Sequence, residues 1–364
     1  MKTANFLLGI VLLVSCAQKQ PTVTQIEWGT VESKTVNLYT LANSNELSVD
    51  ITNYGGIVVA FRTPDRNGEQ ENIVLGLGSL NDYLVGHPSL GCIVGRYANR
   101  IAGARFTLND VEYSLVANTG RNHIHGGVKQ RFDLKVWDAS TSSDENSATL
   151  TLHGTSADME EGYPGNLDIE VRYVLNNDNE LQIHYTAVSH QPTVLKLTKH
   201  SYFNLTGCKE NVLRHQAIVY ADEYTPVDEE NIPTGEILPV EGTPYDLRTW
   251  TTIGDRIKAL PRGYDNNYCL KTQPQPVLAA ELYDPQSGRL LQTYTTEPGV
   301  QFYTSVNLDG HKKNEKGIAL TSFMGACFEA QHYPDSPNHP NFPSTVLNPG
   351  ETYRQTTIYK VGVK

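Results

Sequence analysis

The residues best able to do chemistry in this sequence are imidazoles and carboxylates placed where strand-building gives them no purpose. His200 lies in Leu197-Thr198-Lys199-His200-Ser201-Tyr202-Phe203-Asn204-Leu205, an apolar and aromatic setting. A histidine there is a satisfied core residue unless a carboxylate faces it; if one does, a ring with an ordinary pKa of about 6.5 can give or take a proton near neutral pH. Two carboxylates qualify: Asp265 in Gly263-Tyr264-Asp265-Asn266-Asn267-Tyr268, and Glu329 in Cys327-Phe328-Glu329-Ala330-Gln331-His332. Glu329 is the sharper of the two. It falls in an apolar stretch from Ile318 to Ala330, where a carboxylate without a partner or a task is costly. A second histidine, His125, precedes Gly126-Gly127, a pair that lets the backbone turn or approach a ligand closely. Upstream, Gly95-Arg96-Tyr97-Ala98-Asn99-Arg100-Ile101 adds guanidinium donors and a carboxamide.

Metal-ligand patterns are weaker. His332, Asp335 and His339 sit in a stretch with four prolines, Pro334, Pro337, Pro340 and Pro343, whose fixed φ angles argue against one shared ligand face. There is no CxxC pair, so a cysteine zinc site has no support, and no EF-hand loop supports a structural calcium. No metal site is assigned. Cys92, Cys208, Cys269 and Cys327 are far apart in a chain long enough to fold without staples, and are expected to be mostly buried free thiols.

The elements that must hold these groups read as strands. Leu47, Val49 and Ile51 alternate with polar neighbours; so do Leu167, Ile169, Val171 and Tyr173, and then Leu181, Ile183, Tyr185 and Ala187. Each set predicts a strand with one face inward. Asn176-Asn177-Asp178-Asn179 between the last two reads as a hairpin turn, Ser140 to Ser147 as an exposed hairpin tip, and Tyr353 to Val361 as a C-terminal strand. Helical stretches are brief, such as Ile253 to Leu260. The pattern predicts an all-β fold, a large antiparallel β-sandwich, built as one domain over residues 25–364.

Residues 1–15 read as a lipoprotein-type signal peptide: Lys2, an apolar run from Phe6 to Val14, then Ser15 before Cys16. The run is too short to span a bilayer. Cys16 is the expected lipid attachment residue, and residues 16–24 a polar tether. This places the chain at the cell envelope, exported and lipid-anchored facing the periplasm, with membrane contact only through that lipid. Across the 364 residues, 29 basic and 40 acidic side chains leave a net charge of −11, which disfavours a nucleic-acid partner. The 20 tyrosines against 9 phenylalanines suit half-buried strands and polyol-binding clefts.

Together these stretches resemble the aldose 1-epimerase (galactose mutarotase) family over roughly residues 25–361. The resemblance rests on the Gly95–Ile101 stretch, His125-Gly126-Gly127, His200-Ser201-Tyr202-Phe203-Asn204-Leu205, Thr225-Pro226-Val227-Asp228, Gly263-Tyr264-Asp265, Gln301-Phe302-Tyr303-Thr304, and Glu329-Ala330-Gln331-His332-Tyr333-Pro334-Asp335, in family order. It implies a β-sandwich with an open sugar cleft and interconversion of the α and β anomers of free aldohexoses such as glucose and galactose. It further implies Glu329 as general base and His200 as general acid, with Asn99, Arg100, His125, Asp265 and Gln301 binding substrate. With ordinary pKa values of about 4.3 and 6.5, Glu329 is expected to start ionised and His200 protonated. Tyr202 or Phe302 is expected to pack on a sugar face. No cofactor is required, the partner is a small aldose, and a monomer is expected. Lys199, Asn266 and Val306-Asn307 depart from the family pattern and are expected to adjoin the cleft. The competing readings are a two-carboxylate glycosidase using Asp265 and Glu329, a sugar-phosphate mutarotase, for which no basic cluster near Arg100 is evident, and a non-catalytic sugar-binding envelope protein.

Overall fold

Alternation carries through the longest strands. Leu167–Asn176 and Glu180–Ser189 bury Leu167, Ile169, Val171 and Tyr173 on the first and Leu181, Ile183, Tyr185 and Ala187 on the second. They pair antiparallel from Leu167↔Ser189 to Leu175↔Leu181, and Asn179 turns the chain at φ 62°. Asparagine tolerates that left-handed value better than branched residues do, which is why the asparagine cluster makes the turn. The serine-rich patch is likewise a hairpin tip, joining Asp138–Ser143 to Ser147–Ser156.

The computed structural model describes residues 19–271 and 273–364. Its largest sheet has nine strands, in the order Asp138–Ser143, Ser147–Ser156, Leu167–Asn176, Glu180–Ser189, Tyr353–Val363, Arg289–Thr295, Val277–Tyr283, Gln216–Val219 and Thr251–Thr252. One five-stranded sheet runs in chain order from Thr22–Val31 to Gln70–Asn72. A second places Asp265–Cys269, Gly299–Tyr303 and Cys327–Gln331 side by side. Every ladder pairing between strands is antiparallel where it joins these sheets. A continuous apolar cluster containing Tyr39, Val171, Phe302, Phe328 and Val361 fills the space between the layers. Tyr359 of the large sheet ties the layers directly, donating its hydroxyl proton to the Phe328 carbonyl at 3.1 Å. Burial at roughly 25 cal/mol per Å² of apolar surface drives this packing.

Two expectations change. The tether was expected to run to Thr24, but the first strand begins at Thr22, pairing with Ala42. Residues 22–27, Thr-Val-Thr-Gln-Ile-Glu, do not alternate, but four of the six (Thr22, Val23, Thr24 and Ile26) are β-branched, a strand preference that polar composition disguised. The helix expected over Ile253 to Leu260 is only Ile253–Ile257. The signal segment and Cys16 lie outside the described residues. Cys92, Cys208 and Cys327 are buried free thiols, and Cys269 is free and partly exposed. Among the described residues no helix is long and apolar enough to cross a membrane.

Candidate functional site

Strand alternation builds the floor of the site. In Cys327–Gln331, Phe328 points into the apolar core and Ala330 is buried on the same face, so Cys327, Glu329 and Gln331 share the opposite one. Register then aligns neighbours: Gln301 lies opposite Glu329 and Asn267 opposite Gln301, while Tyr303 lies between Asp265 and Cys327. Two cross-strand rows of polar groups result. Gln301 donates to Asp265 Oδ1 at 2.7 Å and accepts from Gln331 at 3.1 Å. Arg100 approaches the other oxygen of Asp265 at 3.5 Å.

Loops bring in the remaining groups. His200 follows the short strand Thr198–Lys199, which pairs with Ile93–Val94. Its ring lies 4.8 Å from that of Tyr202, nearly parallel, and edge-on to Tyr303. His125 stands at φ 53°, and its Nδ1 accepts the Asn99 backbone N–H at 3.2 Å. That contact leaves the proton of a neutral ring on Nε2. Gly126 is required here: a Cβ at this position would fall 2.0 Å from the Gly95 carbonyl oxygen. The two arginines of the Gly95–Ile101 stretch part company. Arg96 is buried and donates to the carbonyls of Ser156, Ala157, Pro164 and Gly165, whereas Arg100 faces the cleft.

The cleft has a volume of about 190 Å³ and is lined by Asn99, Arg100, His125, His200, Asp265 and Glu329, with Tyr202, Tyr303, Asn307, Ser89 and Pro88 at its sides. A wider groove of about 830 Å³ lies on outer strands, where His153 and Glu170 sit 3.7 Å apart. It contains neither His200 nor Glu329, and its histidine and acid face solvent. The smaller cleft is the chemical one.

Six of the expected residues converge there, and Gln301 does not. It is buried behind Asp265 and holds that carboxylate in place. Phe302 is also corrected: it is fully buried against Phe328, at 5.0 Å between rings, because strand alternation turns it away from Gln301 and Tyr303. Tyr303 takes the cleft position. Of the departures from the family pattern, Asn307 reaches the cleft. Lys199 and Asn266 do not; each neighbours a cleft residue in sequence and therefore points the other way. The Pro88-Ser89 loop carried no signal in its own segment, and Tyr303 entered only as a member of the Gln301–Thr304 stretch, with no role of its own. Tyr303 was reachable by counting alternation from Gln301.

Glu329 Oε2 is buried without a hydrogen-bond partner, and the nearest group is His200 Nε2 at 3.7 Å. Burial pushes the Glu329 carboxyl up to about 8, helped by the negative charge of Asp265 and opposed by Lys196 and Arg100. Burial pushes His200 down to about 4, opposed by its own backbone carbonyl. His125 is driven well below its usual value by burial, then by the charges of His200 and Arg100. The expected start, ionised Glu329 beside protonated His200, is therefore not the arrangement burial favours. Each group prefers its neutral form, so between these values the pair holds one proton, on Glu329.

His200, Cys327 and Glu329 also offer ligand atoms within 4.8 Å of one another. The thiol contacts Nδ1 at 3.7 Å while Glu329 faces Nε2, opposite edges of one ring, so a single ion cannot use both contacts. His332 and His339 diverge to separate carboxylates, Glu297 at 2.6 Å and Asp335 at 3.2 Å.

Residues 37–360 match the aldose 1-epimerase family. The galactose mutarotase of Sus scrofa is 42% identical over 322 residues, 88% of this chain and 92% of that protein. The aldose 1-epimerase of Escherichia coli K12 is 33% identical over 331 residues, 89% and 94% of the two chains. The crystal structure of galactose 1-epimerase from Lactobacillus acidophilus superposes with a TM-score of 0.84 at 29% identity, covering 94% of this chain and 99% of that one.

Proposed function

The chain belongs to the aldose 1-epimerase family and interconverts the anomers of aldoses; we propose that Glu329 is the base and His200 the acid of that reaction. One observation carries the assignment. At the cleft floor, a buried carboxylate oxygen without a partner faces an imidazole nitrogen across 3.7 Å, within reach of both ends of a hemiacetal.

The proton on the C1 hydroxyl passes to the Glu329 carboxylate, and its O–H electrons form the aldehyde C=O. The C1–O5 bonding pair goes to the ring oxygen, which takes the Nε2 proton of His200. Rotation about C1–C2 presents the other face, and reclosure reverses both transfers. Ring opening thus starts from carboxylate and imidazolium and arrives at acid and neutral imidazole. The second arrangement is the one burial favours, so the aldehyde stage suits the site's own preference. Lys196 and Arg100, which both favour ionised Glu329, support the first. Arg100 and Asp265 face sugar hydroxyls as donor and acceptor, with Asn99 and His125 Nε2–H beside them and Gln301 acting through Asp265.

A cleft of about 190 Å³ is below the range of about 300–1,000 Å³ for drug-sized ligands and matches a single monosaccharide. The substrates proposed are free aldohexoses, galactose and glucose, since similar proteins are named galactose mutarotases. Polarimetry on fresh α-D-galactose tests this. We expect acceleration over buffer by the wild type, a loss of about 10²–10⁴-fold in Glu329→Gln, and a comparable loss in His200→Asn. Wild-type rates equal to buffer across several aldoses would defeat the proposal. The glycosidase reading is not favoured: both oxygens of Asp265 are engaged, by Gln301 and Arg100.

The remaining expectations are proposals on sequence grounds. The reaction as written needs no cofactor, so dialysis against a chelator should leave the rate unchanged; a loss restored by calcium would show a structural ion. A monomer is expected in size-exclusion chromatography, and a dimer mass would refute it. Export and lipidation at Cys16 rest on the Val14-Ser15-Cys16 ending of the apolar run. Membrane fractionation with wild type and Cys16→Ala tests them, and recovery of wild type only from the cytosol would sink that placement.

A further inference from the structure

We infer that Glu161 is a positioning residue for His125: its carboxylate clamps the loop that carries the ring, so that Nε2–H stays aimed at the sugar. The inference rests on the substrate-binding role of His125 proposed above. Glu161 takes three consecutive backbone N–H groups of that loop, accepting from Val128 at 3.1 Å on Oε2 and from Lys129 and Gln130 at 2.6 Å each on Oε1. Hydrogen bonds to a carboxylate are shorter and stronger than those between neutral groups. Gly127 is shaped to admit it, because a Cβ at that position would collide with the Glu161 side chain.

The loop needs such a clamp. Up to Ile124 the chain is fixed by pairing, His123–Ile124 against Arg100–Ile101. His125, Gly126 and Gly127 then follow at φ 53°, 80° and 126°, three consecutive positive values, the first on a residue that bears a Cβ. Asn118 ties the near side of this turn, accepting from the Ile124 N–H at 2.7 Å and donating to the carbonyls of Ile124 at 2.9 Å and Gly127 at 2.7 Å. Beyond it Val128, Lys129 and Gln130 are exposed, and the chain is anchored again where the Phe132 N–H meets the Gly95 carbonyl at 3.4 Å. Glu161 spans the interval between these anchors. Its own turn, Glu160–Gly162, is tied to the chain on the other side of His125 as well. The Tyr163 hydroxyl lies 2.7 Å from His123 Nε2, and His123 Nδ1 lies 2.8 Å from the Val116 carbonyl. A carbonyl can only accept, so Nδ1 carries the proton and Nε2 takes the tyrosine's. One short turn thus grips the backbone two residues before His125 and three to five residues after it. The ring it holds accepts the Asn99 N–H on Nδ1 and stands edge-on to His200 at 5.4 Å, contacts that a small shift of the loop would open.

Four variants test the proposal: Glu161→Ala, which removes the clamp, Glu161→Gln, which keeps an acceptor oxygen for Lys129 and Gln130, His125→Asn, and Glu161→Ala combined with His125→Asn. If the alanine variant fails to fold, Glu161→Met, which keeps the length and loses the acceptors, takes its place. In polarimetry on α-D-galactose, Glu161→Ala should raise KM about 2- to 10-fold, the worth of one hydrogen bond to the sugar, with kcat within about twofold. Glu161→Gln should recover most of that loss. His125→Asn should raise KM by at least as much, and adding Glu161→Ala to it should cost less than about twofold more, because a residue that acts through His125 then has nothing to position. The ¹⁵N signals of the His125 ring, assigned by difference from His125→Asn, are read independently of turnover. They should show a neutral ring protonated on Nε2 in the wild type and Glu161→Gln, and move toward mixed tautomers in Glu161→Ala as the ring leaves the Asn99 N–H. Wild-type His125 signals in Glu161→Ala would overturn the inference, as would losses that multiply in full in the combined variant. Displaced His125 signals in Glu161→Ala with KM unchanged in His125→Asn would instead uphold the clamp and remove His125 from the substrate-binding set.

Discussion

Lys199 offers the sharpest test of how this site is supported. Its ammonium group is buried beneath the cleft, donating to the Gly56 carbonyl and, at 2.9 Å, to the Tyr173 hydroxyl, and it lies 4.9 Å from the Tyr173 ring centroid. No carboxylate is among the groups that shift it. Burial lowers its pKa from 10.5 to about 7, with only Cys92 opposing. At about 1.4 kcal/mol per pH step, that difference amounts to about 5 kcal/mol. The sign follows from proton counting. Between pH 7 and 10.5 the unfolded chain holds this proton and the folded one does not, so stability rises with pH there. The contribution is fully present above 10.5 and is lost as pH falls toward 7. Lys199→Met should remove that slope. At pH 6 it should gain about 5 kcal/mol, offset by about 1 kcal/mol for the bond lost at the Gly56 carbonyl, which keeps the Tyr173 hydroxyl as a donor at 2.8 Å, and about 1 kcal/mol for Tyr173, leaving roughly 3 kcal/mol. Urea unfolding at intervals from pH 6 to about 10 measures both quantities. Wild-type and variant curves that run parallel across that range would refute the reasoning.

The catalytic pair should give a bell-shaped pH profile. With His200 at about 4 and Glu329 at about 8, the pair holds one proton between those values. Below, both are protonated and no base remains; above, no proton remains for the ring oxygen. Background-corrected kcat/KM should fall on both sides, and a rate still rising beyond pH 9 would contradict a one-proton pair. Arg96→Met should destabilise the fold by about 3–5 kcal/mol in urea unfolding, since four carbonyls lose a buried donor, while folded enzyme keeps its KM. A raised KM with unchanged stability would mean that Arg96, not only Arg100, reaches substrate.

Much of this protein is determined by local pattern. Period-two alternation at Leu167–Tyr173 and Leu181–Ala187, with an asparagine cluster between, can fold only as a hairpin with one buried face, so a β-sandwich was legible. Glu329 was legible for a related reason: a carboxylate in an apolar strand needs a task, and its place in a familiar order of motifs supplied one. Tertiary structure decided what depends on which strands become neighbours. The expectation that Lys199 and Asn266 adjoin the cleft failed because each alternates away from a cleft residue, and that direction is set by the sheet. Gln301 proved to hold Asp265, a consequence of register between Asp265–Cys269 and Gly299–Tyr303. The protonation of the pair was misjudged from reference values because burial is absent from a linear chain. Cys327 beside His200 Nδ1 joins positions 127 residues apart. Residue types limit the chemistry a chain can do, while register and burial choose which atoms face each other and which of them carries the proton.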